Sequence, residues 1–254
     1  MRTIAIMNNK GGVGKTVTAI NLADILVRQY KKRVVLADCD GQMNLTRFYL
    51  PSFDPEINLS MADVLRGEGE SVWSENTMPI APDLDLLPGS TGLYDLDLRA
   101  FKGEEVNPGA LRFFCQAAGE DGVDFFLFDC PPGFTAASVA ALMAADEVII
   151  PTTLDGFSIT GMHDMQRQIA SLQRARVGVK IAGVLITQWH NSEVVRQGEQ
   201  FLRSLGVPVF RQVIRRTDKV PESTFDRQPI VQYSPGSAAS QDYRAWVREL
   251  LKEV

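Results

Sequence analysis

Residues 9–17 read Asn-Lys-Gly-Gly-Val-Gly-Lys-Thr-Val, a run with the residue types needed to hold a string of phosphates. Glycines let the backbone wrap an anion with successive N–H groups turned inward. A helix opening at the end of such a loop adds the partial positive charge of its N-terminus. Lys15 would neutralise β- and γ-phosphate oxygens, and the Thr16 hydroxyl would ligate Mg²⁺. The expected nucleotide contacts are therefore Gly11, Gly12, Val13, Gly14, Lys15, Thr16 and Val17.

Carboxylates form the second chemical set. Val34-Val35-Leu36-Ala37 leads into Asp38-Cys39-Asp40, and Phe125-Phe126-Leu127-Phe128 leads into Asp129-Cys130-Pro131-Pro132. Each is an apolar strand that ends on acid. In an open parallel sheet, ligands bind beyond the carboxyl ends of the strands. Asp38, Asp40 and Asp129 are thus candidates for the Mg²⁺ or water position. A divalent ion there would offset their charge.

These groups need a sheet to position them. Apolar runs predict strands over residues 2–7, 33–37, 84–87, 124–128, 147–151, 180–187 and 207–214. Helical spacing predicts helices over 16–30, 60–66, 135–144, 160–174, 193–205 and 237–252. A further helix, to about residue 118, opens at Asn107-Pro108, where asparagine caps and proline takes the first turn. Continuous apolar strands suit a parallel sheet covered on both faces, and the intervening helices supply right-handed crossovers. The expected fold is α/β, a doubly wound, mainly parallel sheet with helices on both faces, in a single domain over residues 1–254.

Composition narrows the function. The chain has 254 residues and a formal net charge of −5, which argues against a generally basic nucleic-acid binder. The charge is uneven, with nine Lys/Arg against six Asp/Glu in residues 201–254. Arg211, Arg215, Arg216 and Lys219 cluster there. No stretch approaches the roughly 20 apolar residues of a membrane span, and the N-terminus has no signal-peptide layout. Cys39, Cys115 and Cys130 have neither disulfide density nor metal-ligand spacing. A cytoplasmic protein is expected.

The run Lys10-Gly11-Gly12-Val13-Gly14-Lys15-Thr16 resembles the deviant Walker A motif of the ParA/MinD ATPases, which include partition ATPases, MinD and nitrogenase iron protein. Asp38 to Asn44 is similar to the family's D-x-D-P-Q-G-N, with Gly41 and Met43 replacing its proline and glycine. Asp129-Cys130-Pro131-Pro132 resembles its Walker B element, without the iron protein's cysteine pattern. Residues 220–237 follow the partition ATPases, and the likeness is weakest over residues 50–105. The resemblance implies a P-loop NTPase fold with ATP and Mg²⁺ as cofactors. It makes Lys10 a signature lysine reaching a partner protomer's nucleotide in a homodimer that sandwiches ATP. Catalysis would fall to Lys10, Lys15 and Asp40, which orients water, and the metal shell to Thr16, Asp38 and Asp129. Base contacts would come from Arg215 and Thr217, with Arg215 at the family's proline position. Arg211, Arg215, Arg216 and Lys219 would bind DNA without reading sequence. A ParB-like or cargo-bound protein would stimulate slow hydrolysis, on the nucleoid.

Two alternatives remain at this point. A MinD-like membrane-cycling ATPase would need an amphipathic C-terminal tail; residues 244–254 are amphipathic but short and carry Glu249 and Glu253. A small-molecule-metabolising relative would need a substrate pocket of its own. The chain opens directly on its first strand, so the short ParA form, without a separate operator-binding domain, is expected.

Overall fold

The computed structural model describes residues 1–104, 107, 109–155, 167, 169–171, 174 and 178–252. Seven strands form one sheet: β1 (Arg2–Ile6), β2 (Val34–Asp38), β3 (Met78–Ala81), β4 (Leu84–Leu87), β5 (Phe125–Asp129), β6 (Glu147–Thr152) and β7 (Lys180–Ile186). Their order is β3-β4-β2-β5-β1-β6-β7. Every pairing is parallel except β3 with β4, a short antiparallel edge that the sequence reading did not contain.

Alternation along each strand divides the core into two layers. Ile4, Ile6, Val34, Leu36 and Leu127 face one side, beneath α1 (Lys15–Tyr30), α2 (Asn44–Tyr49), α9 (Ile230–Tyr233) and α10 (Ala238–Lys252). Ala5, Met7, Val35, Phe126 and Phe128 face the other. There they meet α3 (Met61–Arg66), α4 (Gly92–Phe101), α5 (Ala110–Glu120), α6 (Ala136–Ala144) and α7 (Glu193–Ser204). The short helix α8 (Lys219–Phe225) precedes α9. The doubly wound fold is as the apolar runs require.

Two expectations need adjustment. Residues 207–214 do not form an eighth strand. The segment runs beside β7 and bonds to it at Val184 and Ile186, with isolated parallel bridges at Val184–Val209 and Trp189–Arg215. Pro208 has no N–H to give, and the N–H groups of Arg211 and Gln212 donate to the Glu249 carboxylate at 2.7 and 2.9 Å instead. Helices α2 and α4 were not anticipated. The helix expected over 160–174 is helical at residues 167, 169–171 and 174; its other residues, and Pro108 at the expected start of α5, lie outside the described residues.

One buried junction ties three elements together below the carboxylates. The Thr46 hydroxyl donates to Asp38 Oδ2 at 2.7 Å and accepts from the Gly89 N–H at 2.8 Å. It therefore links the end of β2, the start of α2 and the turn after β4. Thr46→Val keeps the shape but costs the buried Asp38 carboxylate one of its three donors and leaves the buried Gly89 N–H without its partner. The expected destabilisation is about 2–4 kcal/mol, read as a lowered urea midpoint at unchanged slope.

Candidate nucleotide site

The glycine loop joins β1 to α1 at the sheet's carboxyl edge. Gly12 and Gly14 have φ of 72° and 85°, left-handed values that side chains resist. Gly14 is the N-cap of α1, whose first turn carries no acid, so the helix end keeps its positive potential. The loop is braced from β7: the Thr187 hydroxyl donates to the Val13 carbonyl at 2.8 Å, and Gln188 Nε2 donates to that of Gly12 at 2.6 Å. Lys15 is buried and donates to the Lys10 carbonyl at 3.0 Å. Burial lowers its pKa, opposed by Asp129, Cys130 and Asp40.

Asp38 and Asp129 stand abreast, paired in register at the ends of β2 and β5. Asp38 is fully buried. Its Oδ2 accepts from the Thr46 N–H and hydroxyl, and its Oδ1 from the Asp40 N–H at 3.1 Å. Burial pushes its pKa up to about 6 against the pull of those donors. Both oxygens are engaged, so Asp38 positions the loop that carries Asp40. Burial, and then Asp38 beside it, raise the pKa of Asp129 well above the usual carboxylate range; the Thr16 hydroxyl and Lys15 oppose this. Asp129 Oδ1 is buried without a hydrogen-bond partner. An orphaned carboxylate oxygen with the Thr16 hydroxyl nearby suits a divalent cation, and Asp129 and Thr16 are the residues that would hold it.

Asp40 Oδ1 accepts from the Gln42 N–H at 2.9 Å, an Asx turn that fixes the carboxylate at the cleft wall. Two departures from the family motif have local explanations. A Cβ at Gly41 would lie 2.7 Å from the Tyr94 ring, so that ring fills the space a proline would need. Met43 keeps the left-handed turn its glycine counterpart would make, with φ 60°, and buries its side chain.

The cleft measures about 600 Å³ and is lined by Gly11, Gly12, Gly14, Lys15, Thr16 and Val17 on one wall. Gln188, Arg215, Arg216, Thr217 and Tyr243 form the opposite wall. Val13 is buried behind the loop. Arg215 and Thr217, the expected base contacts, both line this cleft. The Arg215 guanidinium, however, is held by Asp242 through two bonds of 2.8 Å, which raises its pKa further. That pair ties the guanidinium to α10 while it still lines the cleft. Lys219 is likewise paired with Glu222 at 2.6 Å. Arg211 and Arg216 are exposed and make no ion pair among the described residues. The expected four-cation cluster is thus divided.

Lys10 occupies a different place from Lys15. Its ammonium bonds Asp155, and Thr153 Oγ1 at 3.3 Å. It lines an adjoining hollow with Asp155 and His190, which shares Gly11, Gly12, Gln188 and Arg216 with the nucleotide cleft. The sequence reading missed Thr46, Thr187, Asp242 and Tyr94, which brace the site from other elements. Gln188, which braces Gly12, holds a left-handed φ of 52°. Of the two histidines, His190 bonds the Gln188 carbonyl at 3.3 Å, and His163 lies outside the described residues.

The Asp38 shift fixes a pH effect. A carboxyl whose folded pKa is raised from 3.8 to about 6 binds more protons folded than unfolded, so its contribution to stability falls as pH rises through that window. In EDTA, the stability of wild type relative to Asp38→Asn should fall between pH 4 and 7, by up to about 3 kcal/mol. Paired urea titrations at several pH values check this; a pH-independent difference contradicts it.

The matching family model is the "AAA domain", over residues 1–181. The chain is 32% identical to the chromosome-partitioning ATPase Soj of Thermus thermophilus, over 100% of this chain and 97% of that protein. It is 30% identical to the chromosome partitioning protein ParA of Caulobacter vibrioides, over 99% and 94%. Among solved structures, cobyrinic acid a,c-diamide synthase of Mycobacterium smegmatis, with bound ADP and magnesium, matches with a TM-score of 0.82 and 25% identity, over 100% and 95% of the two chains. The septum site-determining protein MinD of Pyrococcus horikoshii, complexed with Mg-ADP, matches with a TM-score of 0.77 and 26% identity, over 99% and 96%. The glycine loop with its early lysine, the paired strand-end carboxylates and full-length likeness to Soj and ParA agree: the chain belongs to the ParA/MinD family of P-loop ATPases.

Proposed function

We propose that this chain is an ATPase with ATP and Mg²⁺ as cofactors. It dimerises around the nucleotide, holds duplex DNA through its phosphates, and positions a cargo with a partner that stimulates hydrolysis. The observation that carries this reading is the separation of the two lysines. Lys15 lines the cleft of its own protomer, whereas Lys10 lies outside it. In the proposed dimer, Lys10 adds its charge to the nucleotide of the second protomer.

The residues divide the work. Lys15 and the loop N–H groups bind the phosphates, and Thr16 and Asp129 hold Mg²⁺, which when bound neutralises phosphate charge. Asp40, fixed by its Asx turn, orients the attacking water. Asp38 holds the Asp40 loop through the Asp40 N–H. Lys10 must leave Asp155 to cross to a partner. That pair is partly exposed, so parting it costs about 1 kcal/mol or less, which a triphosphate's charge can offset. A cation divided between two protomers makes assembly depend on nucleotide.

For DNA, Arg211 and Arg216 are the two of the four clustered cations that make no ion pair among the described residues, and phosphate contacts of this kind are salt-sensitive and blind to sequence. Among the described residues no helix is long and apolar enough to cross a membrane. The C-terminal helix α10 buries Tyr243, Trp246, Val247 and Leu250 in the core, so those side chains are not free to enter a bilayer. Cargo identity follows from the partner rather than from this site.

Binding to duplex DNA should require ATP and weaken steeply with salt. Lys10→Ala should abolish it while ATP still binds, and Lys15→Ala should abolish both. Arg211→Ala should flatten the slope of log affinity against log salt by about 1. Fluorescence anisotropy with ATP, ADP and no nucleotide reads all of these. DNA binding that ignores nucleotide contradicts the cycle.

A further inference from the structure

The three cysteines lie far apart in the sequence, and the fold brings two of them together. Cys39 and Cys130 directly follow Asp38 and Asp129, which pair in register at the ends of β2 and β5. The ladder runs one bond further: the Cys39 N–H donates to the Asp129 carbonyl at 2.9 Å. Cys39 and Cys130 are therefore the next facing pair. Alternation turns both to the side of Ala37 and Phe128, where both are buried in the core. Their thiols are in hydrogen-bonding contact. Neighbouring strands lie about 4.8 Å apart, inside the roughly 4.4–6.8 Å between Cα atoms that a disulfide spans. The third cysteine, Cys115, is buried separately on α5.

A single buried cysteine is ordinarily a small apolar filler. Two in contact, one residue beyond the site's paired carboxylates, can do more. Cys39 stands between Asp38 and Asp40. Cys130 leads into Pro131 and Pro132, and Pro132 lines the nucleotide cleft with Asp40. A bond between the two sulfurs would fix the loop of Asp40 against the loop after Asp129. Phosphoryl transfer depends on positioning, so such a tether acts on turnover. The glycine loop and Lys15 belong to the β1–α1 junction and lie outside the tether.

We infer that Cys39 and Cys130 form an oxidisable dithiol, a modification site for a peroxide, whose disulfide arrests hydrolysis and leaves nucleotide binding in place. For its effect on turnover the inference rests on the proposed ATPase cycle. One sulfur attacks hydrogen peroxide, breaking the O–O bond to give a sulfenic acid and water. The second sulfur displaces the sulfenic oxygen as a second water and forms the S–S bond. Two S–H bonds and one O–O bond break, one S–S and two O–H bonds form, and the peroxide takes the two electrons. Both thiols are buried, whereas Gln42 and Pro132 on the same loops are exposed. Burial shields a thiol from solutes, so oxidation waits for these loops to part locally. A magnesium nucleotide engaging Asp40 and Asp129 holds the loops and protects the pair.

The test treats the full chain with hydrogen peroxide, with and without ATP and Mg²⁺. Free thiols are counted by alkylation and mass, cross-linked peptides are mapped, and ATP binding and turnover are read before and after dithiothreitol. Without nucleotide, two of the three thiols should be lost to a Cys39–Cys130 cross-link. Turnover should fall several-fold with ATP still bound, and dithiothreitol should restore it. ATP with Mg²⁺ should slow cross-linking several-fold. Cys115→Ala should behave as wild type, whereas Cys39→Ala and, independently, Cys130→Ala should form no cross-link and keep their turnover through the same treatment. Absence of the cross-link, or a cross-linked chain with unchanged turnover, would overturn the inference. So would an equal peroxide loss of turnover in Cys39→Ala. A nucleotide-protected cross-link in a chain whose reduced form hydrolyses no ATP would support the dithiol and contradict the ATPase reading alone.

Discussion

Two carboxylates buried side by side govern this site. Asp38 and Asp129 end adjacent parallel strands in register, so the sheet places like charges abreast in a medium that disfavours both. The two are resolved differently. Asp38 is satisfied by the protein, with donors from Thr46 and Asp40. Asp129 keeps an oxygen with no protein partner. That oxygen is a demand for a cation, and the neighbouring glycine loop is a demand for an anion. A magnesium nucleotide meets both, which is why folding alone leaves the site electrostatically incomplete.

The loops around this pair are coupled by single hydrogen bonds. Thr46 joins Asp38 to the turn after β4, and α4 follows that turn to reach Gly41 and Ala136. From the other side, Thr187 and Gln188 hold the carbonyls of Val13 and Gly12. A change at the phosphates therefore has short, directional routes to α4 on one flank and to the residues after β7 on the other. Lys10 sits outside this network, on Asp155, and is the charged group of the loop most readily given to another molecule.

Much of the fold was legible because its strands are buried on both faces and read as unbroken apolar runs. The glycine loop was legible because its chemistry is local: successive residues supply the turn, the helix N-terminus, Lys15 and Thr16. What escaped was long-range or short. The β3–β4 edge and α2 are too brief for periodicity to register. Residues 207–214 look like a strand, but Glu249, some 37 positions away, takes the N–H groups a ladder would use. Arg215 reads as a free cation until Asp242 on α10 is seen to hold it. Gly41 looks like a loss from the motif until Tyr94 is found in the space. Pairings of this kind join positions whose spacing in sequence carries no signal.

The central claim is that ATP completes a site spanning two chains. The direct measurement is mass in solution by light scattering of Asp40→Ala, which should bind without turning over. With ATP and Mg²⁺ the account predicts twice the 28.1 kDa of one chain, falling to a single chain with ADP or when Lys10→Ala is added. A mass of one chain under ATP, with binding of ATP verified in the same sample, would contradict it.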